Sequence, residues 1–476
     1  MDRFGSRWWA IGIAVWVAGP VFAQRYELGQ RLRMMERAWD SATPAQRAAA
    51  VDPLKKAVTF FFSGKVSDAA AALDSARLRL QGVTEPTARQ RWANALAARP
   101  AARLVDPADP PIPIELTTLY DPGTPAPEEA ALRLVLVQPE GRTTLAEWPI
   151  EKLPVKGELD LTKMPPGDYQ ILAEIRIGDR TEAQYPFLIS VAPKFRERWM
   201  ALRDSAKIDG DAPTTDQRTL KSLLATIQYL AERYELETDY PAERLLREAE
   251  ALAESLKNGQ EHYTPARSGE HWLTLSTSGG PAMVRVFVPK DLKPDAPTPL
   301  VVAMHGAGGS ENLFFDGYGD GAAVRSCKDR GWLMVAPRAG GILGGAPPVA
   351  AIVDELARLY PVDRQRVYLV GHSMGAAQAI AALQAAPGRF AAAAALGGGG
   401  SVRKPEAVKT VPIFVGCGEQ DFALGGARGL VRALEQAGAA VTYKPYADVE
   451  HLAIVQAAIP EVFAFFDRQG RQRPNQ

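Results

Sequence analysis

Ser373 sits in the pentapeptide Gly371-His372-Ser373-Met374-Gly375, and the residue types around it suit nucleophilic catalysis. A serine hydroxyl is a weak nucleophile at neutral pH and needs a base. Glycines on either side permit a turn so tight that side chains there would clash. The turn presents the hydroxyl at a helix N-terminus, where developing negative charge is favoured. Of the five histidines, His451 is the expected base, in the segment Tyr446-Ala447-Asp448-Val449-Glu450-His451. A histidine base needs an acceptor that fixes its tautomer. Asp421, in Gly416-Cys417-Gly418-Glu419-Gln420-Asp421, is expected in that role, with Glu419 and then Asp448 as rivals. His305-Gly306-Ala307-Gly308-Gly309 is a loop whose glycines let backbone N–H groups approach a substrate closely. Ala307 is the expected oxyanion donor there, with Gly306 next, and Met374 after the nucleophile is the second donor. His305 is read as a brace for its loop, and His262 and His271 as surface or structural.

These residues need a scaffold that brings distant segments to one edge. Arg366 to Val370 is a β-type run leading into the serine turn, and the Ala-rich run to Ala386 after it is helical in character. Further apolar strands are expected at Leu300–Met304, Trp332–Ala336, Phe390–Leu396, Val411–Val415 and Val441–Tyr446, and helices near 320–329, 347–359, 375–386, 426–437 and 451–468. Trp272–Ser276 and Met283–Val288, flanking Ser278-Gly279-Gly280, read as an antiparallel hairpin. Short apolar strands alternating with helices imply a parallel sheet covered on both faces. The expected fold class is therefore α/β. The chain order Ser373, Asp421, His451, each after a strand, is that of the α/β-hydrolase fold.

Residues 261–476 thus form the expected catalytic domain, and 270–470 resemble exported α/β-hydrolase serine esterases, close to polyhydroxybutyrate-depolymerase-like and feruloyl-esterase-like enzymes. The resemblance rests on Met304-His305-Gly306-Ala307-Gly308-Gly309-Ser310, on Tyr360-Pro361-Val362-Asp363-Arg364-Gln365-Arg366-Val367-Tyr368, on Gly371 to Gly375 and on His451. It implies ester hydrolysis through an acyl-enzyme, with no metal or organic cofactor, on a small-molecule or polymeric ester. Asp363 is then a structural turn residue. Ala376-Ala377 after the turn, instead of a further Gly, departs from the pattern. A serine peptidase similar to prolyl-oligopeptidase-like enzymes would use the same triad. A scaffold with a degenerate site is the remaining alternative, which the intact Ser, Asp and His set opposes.

A chain of 476 residues makes two to four domains the expectation at about 150 residues each. Zero formal net charge supplies no basic field for nucleic acid or an anionic membrane surface. At the N-terminus, Arg3 and Arg7 precede the apolar run Trp8 to Ala18, then Gly19-Pro20 and Val21-Phe22-Ala23. That order reads as a signal peptide over 1–23, cleaved after Ala23, and hence export to a periplasm or the exterior. The apolar run is shorter than the roughly 20 residues a bilayer requires, so an uncleaved anchor is the lesser reading, and no later segment is long and apolar enough to cross.

The two cysteines, Cys327 in an expected helix and Cys417 at the end of an expected strand, are read as buried, unpaired thiols. Residues 24–105 read as helical, with starts at Thr43-Pro44 and Asp52-Pro53 and a helical pattern over Thr87 to Ala98. From 106 to 193 the period becomes two, as in a small immunoglobulin- or fibronectin-like β-sandwich, with strands including Leu132–Val137, Tyr169–Ile177 and Gln184–Val191. Residues 194–260 are helical again, with amphipathic runs at Arg218–Tyr234 and Ala242–Leu256 whose mixed charge reads as a solvated face. The region 24–260 is a candidate for binding substrate or a protein partner.

Overall fold

The structure is a computed structural model that describes residues 24–205, 213–232, 237–339 and 346–471. The export segment read at 1–23 lies outside them.

Eight strands build the sheet that positions the reactive residues: β1 (Gly269–Thr277), β2 (Gly280–Val288), β3 (Thr298–Met304), β4 (Leu333–Pro337), β5 (Val362–His372), β6 (Ala392–Leu396), β7 (Ile413–Gly418) and β8 (Val441–Tyr446). Their order across the sheet is β1-β2-β4-β3-β5-β6-β7-β8. β2 runs antiparallel to both its neighbours, and every other pairing is parallel. This order, with helices on both faces, defines the α/β-hydrolase fold. Side chains alternate across the sheet as the pleat demands. Along β3, Leu300, Val302 and Met304 enter one core, and Val301 and Ala303 enter the other. Cys417 belongs to the first core and Cys327 to the second, so the sheet itself separates the two buried, free thiols.

The helical regions on either side of the sandwich cover opposite faces of this sheet. Helices α1 (Arg25–Ser41), α2 (Pro44–Phe62) and α3 (Val66–Leu80) bury Met35, Trp39, Leu54 and Leu73 against the face that carries Val301 and Tyr368. The helices Thr215–Ala231 and Ala242–Lys257 bury Leu223, Ile227, Leu246 and Leu252 against the other face. Arg244 and Arg247 lie on the outer side as expected, but Glu243 is buried and the inner side is core. Between these regions lies a sandwich of a three-stranded and a five-stranded sheet with a core of its own, into which α1 inserts Tyr26.

Three boundaries differ from the sequence reading. The helix expected over Thr87 to Ala98 ends at Asn94, and Leu96–Pro100 is a strand paired antiparallel with Ile112–Thr118. The sandwich therefore begins ten residues before the expected 106, because pairing with a partner strand overrides the helix propensity of an Ala-rich run. Asp52-Pro53 starts no helix. Pro53 lies within α2, which begins at the capping box of Thr43 and Gln46. The helix expected over Arg218 to Tyr234 runs from Thr215 to Ala231, and Tyr234 lies outside the described residues.

Two outward-facing backbone N–H groups of β1, which forms one edge of the sheet, are taken up by the helix beside it. Thr219 Oγ1 accepts from the Thr274 N–H at 2.9 Å, and Thr215 Oγ1 accepts from the Ser276 N–H at 3.0 Å. An edge covered in this way offers no template for another strand. Among the described residues no helix is long and apolar enough to cross a membrane.

Candidate active site

Ser373 follows β5 and opens the helix Met374–Ala385. Its φ of 54° and ψ of −114° form a strained backbone turn for a non-glycine residue. A Cβ on Gly371 would lie 2.1 Å from the Gly375 carbonyl oxygen, and one on Gly375 would lie 2.0 Å from that of Met304. Only glycine fits at either position, because strand, turn and helix cross at backbone contact. The Ser373 N–H donates to the Leu396 carbonyl at 2.9 Å, so the end of β6 supports the turn from below.

Three sequence-predicted residues converge on this turn. His451 Nε2 lies 3.0 Å from Ser373 Oγ. His451 Nδ1 lies 2.9 Å and 3.1 Å from the two carboxylate oxygens of Asp421. With the carboxylate as acceptor, Nδ1 carries the proton and Nε2 is left to accept from the serine hydroxyl. Asp421 and His451 are both buried, and the Ala423 N–H also donates to Asp421 Oδ1, at 2.8 Å. The rivals are elsewhere: Glu419 and Asp448 are exposed, and neither bonds to His451.

The loop after β3 lies directly against the turn. A Cβ built on Gly306 would stand 3.3 Å from Ser373 Cβ. Gly306 was the second expected oxyanion donor, and here the structure corrects the reading. Its N–H is committed to Tyr318 Oη at 3.1 Å. Among the described residues, the N–H groups of Ala307 and Met374 have no such partner.

Tyr318 and His372 were missed as positioning residues, and they form one ordered chain. The Tyr318 hydroxyl lies 2.9 Å from His372 Nδ1, and His372 Nε2 lies 3.1 Å from the His451 carbonyl oxygen. A carbonyl only accepts, so Nε2 bears the proton and Nδ1 accepts from the phenol. The phenol oxygen in turn accepts from Gly306. Burial raises the Tyr318 pKa and, with repulsion from His451, lowers that of His372 well below the ordinary range. Both therefore stay neutral, as the chain requires. Oxyanion loop, nucleophile turn and base loop are thereby tied by three hydrogen bonds. The middle residue of the Gly-His-Ser motif was the available signal for this, whereas Tyr318 carried none.

His305 braces its loop: its Nε2 accepts from the Ala339 N–H at 3.1 Å, and its Nδ1 lies 2.8 Å from the Gly306 carbonyl oxygen. Burial lowers its pKa, which keeps it neutral. His262 and His271 are not surface residues. Both are buried, and each has a ring nitrogen 3.4 Å from Glu248 Oε1, far from Ser373 in the fold. Burial disfavours the charge on Glu248, but the nearby His262 and His271 rings and a hydrogen bond from Arg267 at 2.7 Å outweigh it, and the net shift is downward. Glu450, beside the base, is buried and its carboxyl is pushed up to about 7, chiefly by burial. Among the described residues no three His, Cys, Asp or Glu side chains gather so that they could hold a metal ion.

No protein-family model and no curated protein matches the chain. Solved structures do resemble it. One is a ferulic acid esterase, at 18% identity and a TM-score of 0.37, covering 43% of this chain and 99% of that one. Another is a thermostable esterase, at 17% identity and a TM-score of 0.38, covering 79% of this chain and 99% of that one. A third is FphF, a fluorophosphonate-binding serine hydrolase of Staphylococcus aureus, at 15% identity and a TM-score of 0.35, covering 41% of this chain and 96% of that one. These TM-scores are low, and the fold assignment stands on the strand order of this chain.

Proposed function

We propose that this chain is a serine hydrolase that cleaves carboxylic esters in two acyl-transfer steps. The observation that carries the reading is the continuous contact from Asp421 through His451 to Ser373, at 2.9 Å and 3.0 Å, ending on a strained strand–helix turn. Neutral His451 takes the Ser373 proton as Oγ bonds to the ester carbonyl carbon. The carbonyl oxygen becomes an anion facing the Ala307 and Met374 N–H groups, a kind of contact whose loss costs on the order of a hundred- to a thousand-fold in rate. The anion collapses, the bond to the alcohol oxygen breaks, and the imidazolium hands that oxygen its proton. Water then repeats the sequence on the acyl-enzyme and frees Ser373. Asp421 holds the tautomer throughout. Tyr318 and His372 act through the backbone of the base loop and are positioning residues.

The basic-then-apolar order of residues 1–23 supports export as part of this proposal, and N-terminal sequencing of the mature protein should then begin at Gln24. The catalytic reading is tested with Ser373→Ala. That substitution should lower kcat on a short ester by roughly a millionfold and abolish labelling by a fluorophosphonate. A folded Ser373→Ala protein that keeps wild-type turnover would sink the reading. Faster turnover of a peptide anilide than of any ester would replace it with a peptidase.

A further inference from the structure

The mouth of the site carries an aromatic surface that the triad and the oxyanion loop leave unused. Phe422 directly follows Asp421, and its ring centroid lies 4.5 Å from that of His451. Phe62, the last residue of α2, meets Phe422 edge-on at 5.8 Å. Phe61 meets Phe62 edge-on at 5.4 Å and lies against the oxyanion loop, where a Cβ on Gly308 would come within 2.7 Å of its ring. Gly308 has a φ of +81°, so its lack of a side chain serves both the turn and this approach.

Two polar tethers hold the helical layer in place here. Lys55 Nζ donates to Gln420 Oε1 at 2.7 Å, and Arg25 Nη2 donates to the Gly308 carbonyl at 2.9 Å. The N-terminal helices thus grip both the loop of the orienting acid and the loop of the oxyanion donors. Among the described residues three large hydrophobic side chains are exposed: Phe62 at 54%, Met200 at 51% and Phe422 at 62%. Two of the three touch each other, and one of them touches the base. Contiguous exposed apolar surface, unlike scattered exposed residues, marks a binding site.

We propose that Phe62 and Phe422, backed by Phe61, form a subsite for an aromatic group carried on the alcohol side of the ester. This rests on the esterase reading above. The side follows from the proton's route. His451 Nε2 protonates the departing alcohol oxygen, so the group on that oxygen leaves past His451, where Phe422 lies. The ring chemistry follows from geometry. Aromatic rings pair edge-on or offset at centroid separations of about 4.5–7 Å, and the exposed faces of Phe62 and Phe422 offer a third ring such contacts. The specificity of the site thus resides partly in α2, far from Ser373 in sequence.

The test compares kcat/KM for benzyl acetate, ethyl acetate and ethyl benzoate in the wild type, Phe62→Ala, Phe422→Ala and Phe62→Trp. Phe62 is exposed, so its substitution leaves the core intact, and circular dichroism verifies folding. Phe62→Ala and Phe422→Ala should each lower the benzyl-to-ethyl acetate ratio about tenfold, mostly through KM, and Phe62→Trp should retain it. Benzyl alcohol should inhibit the wild type more strongly than ethanol does, and this difference should shrink in both alanine variants. An unchanged ratio overturns the subsite. So does a loss confined to ethyl benzoate, which would put the ring on the acyl side. A loss confined to an insoluble polyester would make the surface a polymer-docking face and overturns it too. In all three cases Ser373-dependent turnover persists. Failure of the esterase reading itself shows differently, as a folded wild type that neither hydrolyses these esters nor reacts with a fluorophosphonate.

Discussion

Helices α1–α3 and the pair Thr215–Ala231 and Ala242–Lys257 are runs of similar length, and they cover opposite faces of one sheet. Their polar residues are used differently. The second set faces the β1 edge, where Thr215 and Thr219 take up edge N–H groups and Glu248 gathers His262, His271 and Arg267. The first set reaches the carboxyl edge, where Arg25, Lys55, Phe61 and Phe62 meet the loops that surround Ser373. The first layer thus packs on the sheet and also overhangs its carboxyl edge beside Ser373. Both faces of the sheet depend on these two helical layers for cover, whereas the sandwich between them in sequence has a core of its own.

The largest effect should come from removing both layers. A chain beginning at residue 261 leaves Val301, Tyr368, Leu273 and Val284 without part of their cover, and it should be insoluble or lack near-UV circular dichroism. A soluble, cooperatively folded and active fragment would show that both layers are dispensable.

Glu248→Gln should separate the two layers. It removes the charge that His262, His271 and Arg267 converge on, and should cost about 2 kcal/mol in denaturant unfolding. The kcat on a short ester at low temperature should stay near wild type, because the cluster lies far from Ser373. The folded pKa is depressed below 4.5, so the stabilisation is present above that pH and is lost as pH falls further. The variant should lack this acid-side slope. A large loss of kcat would show that the second layer also controls the site.

Glu36 on α1 gives the smallest expected effect on activity, with a stability change of opposite sign. It is buried, and its carboxyl oxygens make no full hydrogen bond among the described residues, although the Tyr318 and Gly319 amides lie near enough to favour its charge. Burial raises its pKa from 4.5 to about 8. Between these values the unfolded chain gives up its proton while the folded chain keeps it, so stability falls as pH rises through that window. Glu36→Gln should flatten thermal stability between pH 5 and 8 and be more stable than the wild type at the upper end. A wild-type slope retained in the variant would assign the pH dependence to another group.

Features that depend on neighbours along the chain were legible in the residues alone. The alternation of apolar strands with helices located six strands of the sheet, and the hairpin turn at Ser278-Gly279-Gly280 located the other two. Two glycines two residues from a serine required the tight turn, and the positions of Asp421 and His451 after successive strands put them on the same edge as Ser373. Such signals are legible because a strand, a turn and a helix start are decided within a dozen residues. Only the tertiary structure decided what depends on packing between remote segments. Gly306 and Ala307 are indistinguishable as backbone donors in a glycine-rich loop until Tyr318 occupies one of them. His262 and His271 are ordinary polar residues until Glu248 is packed beside them. The strand at Leu96–Pro100 exists because Ile112–Thr118 offers it a partner. Phe61 and Phe62 read as the end of an apolar helix, and it is the docking of α2 across the sheet, fixed by Lys55 and Arg25, that sets them beside the base.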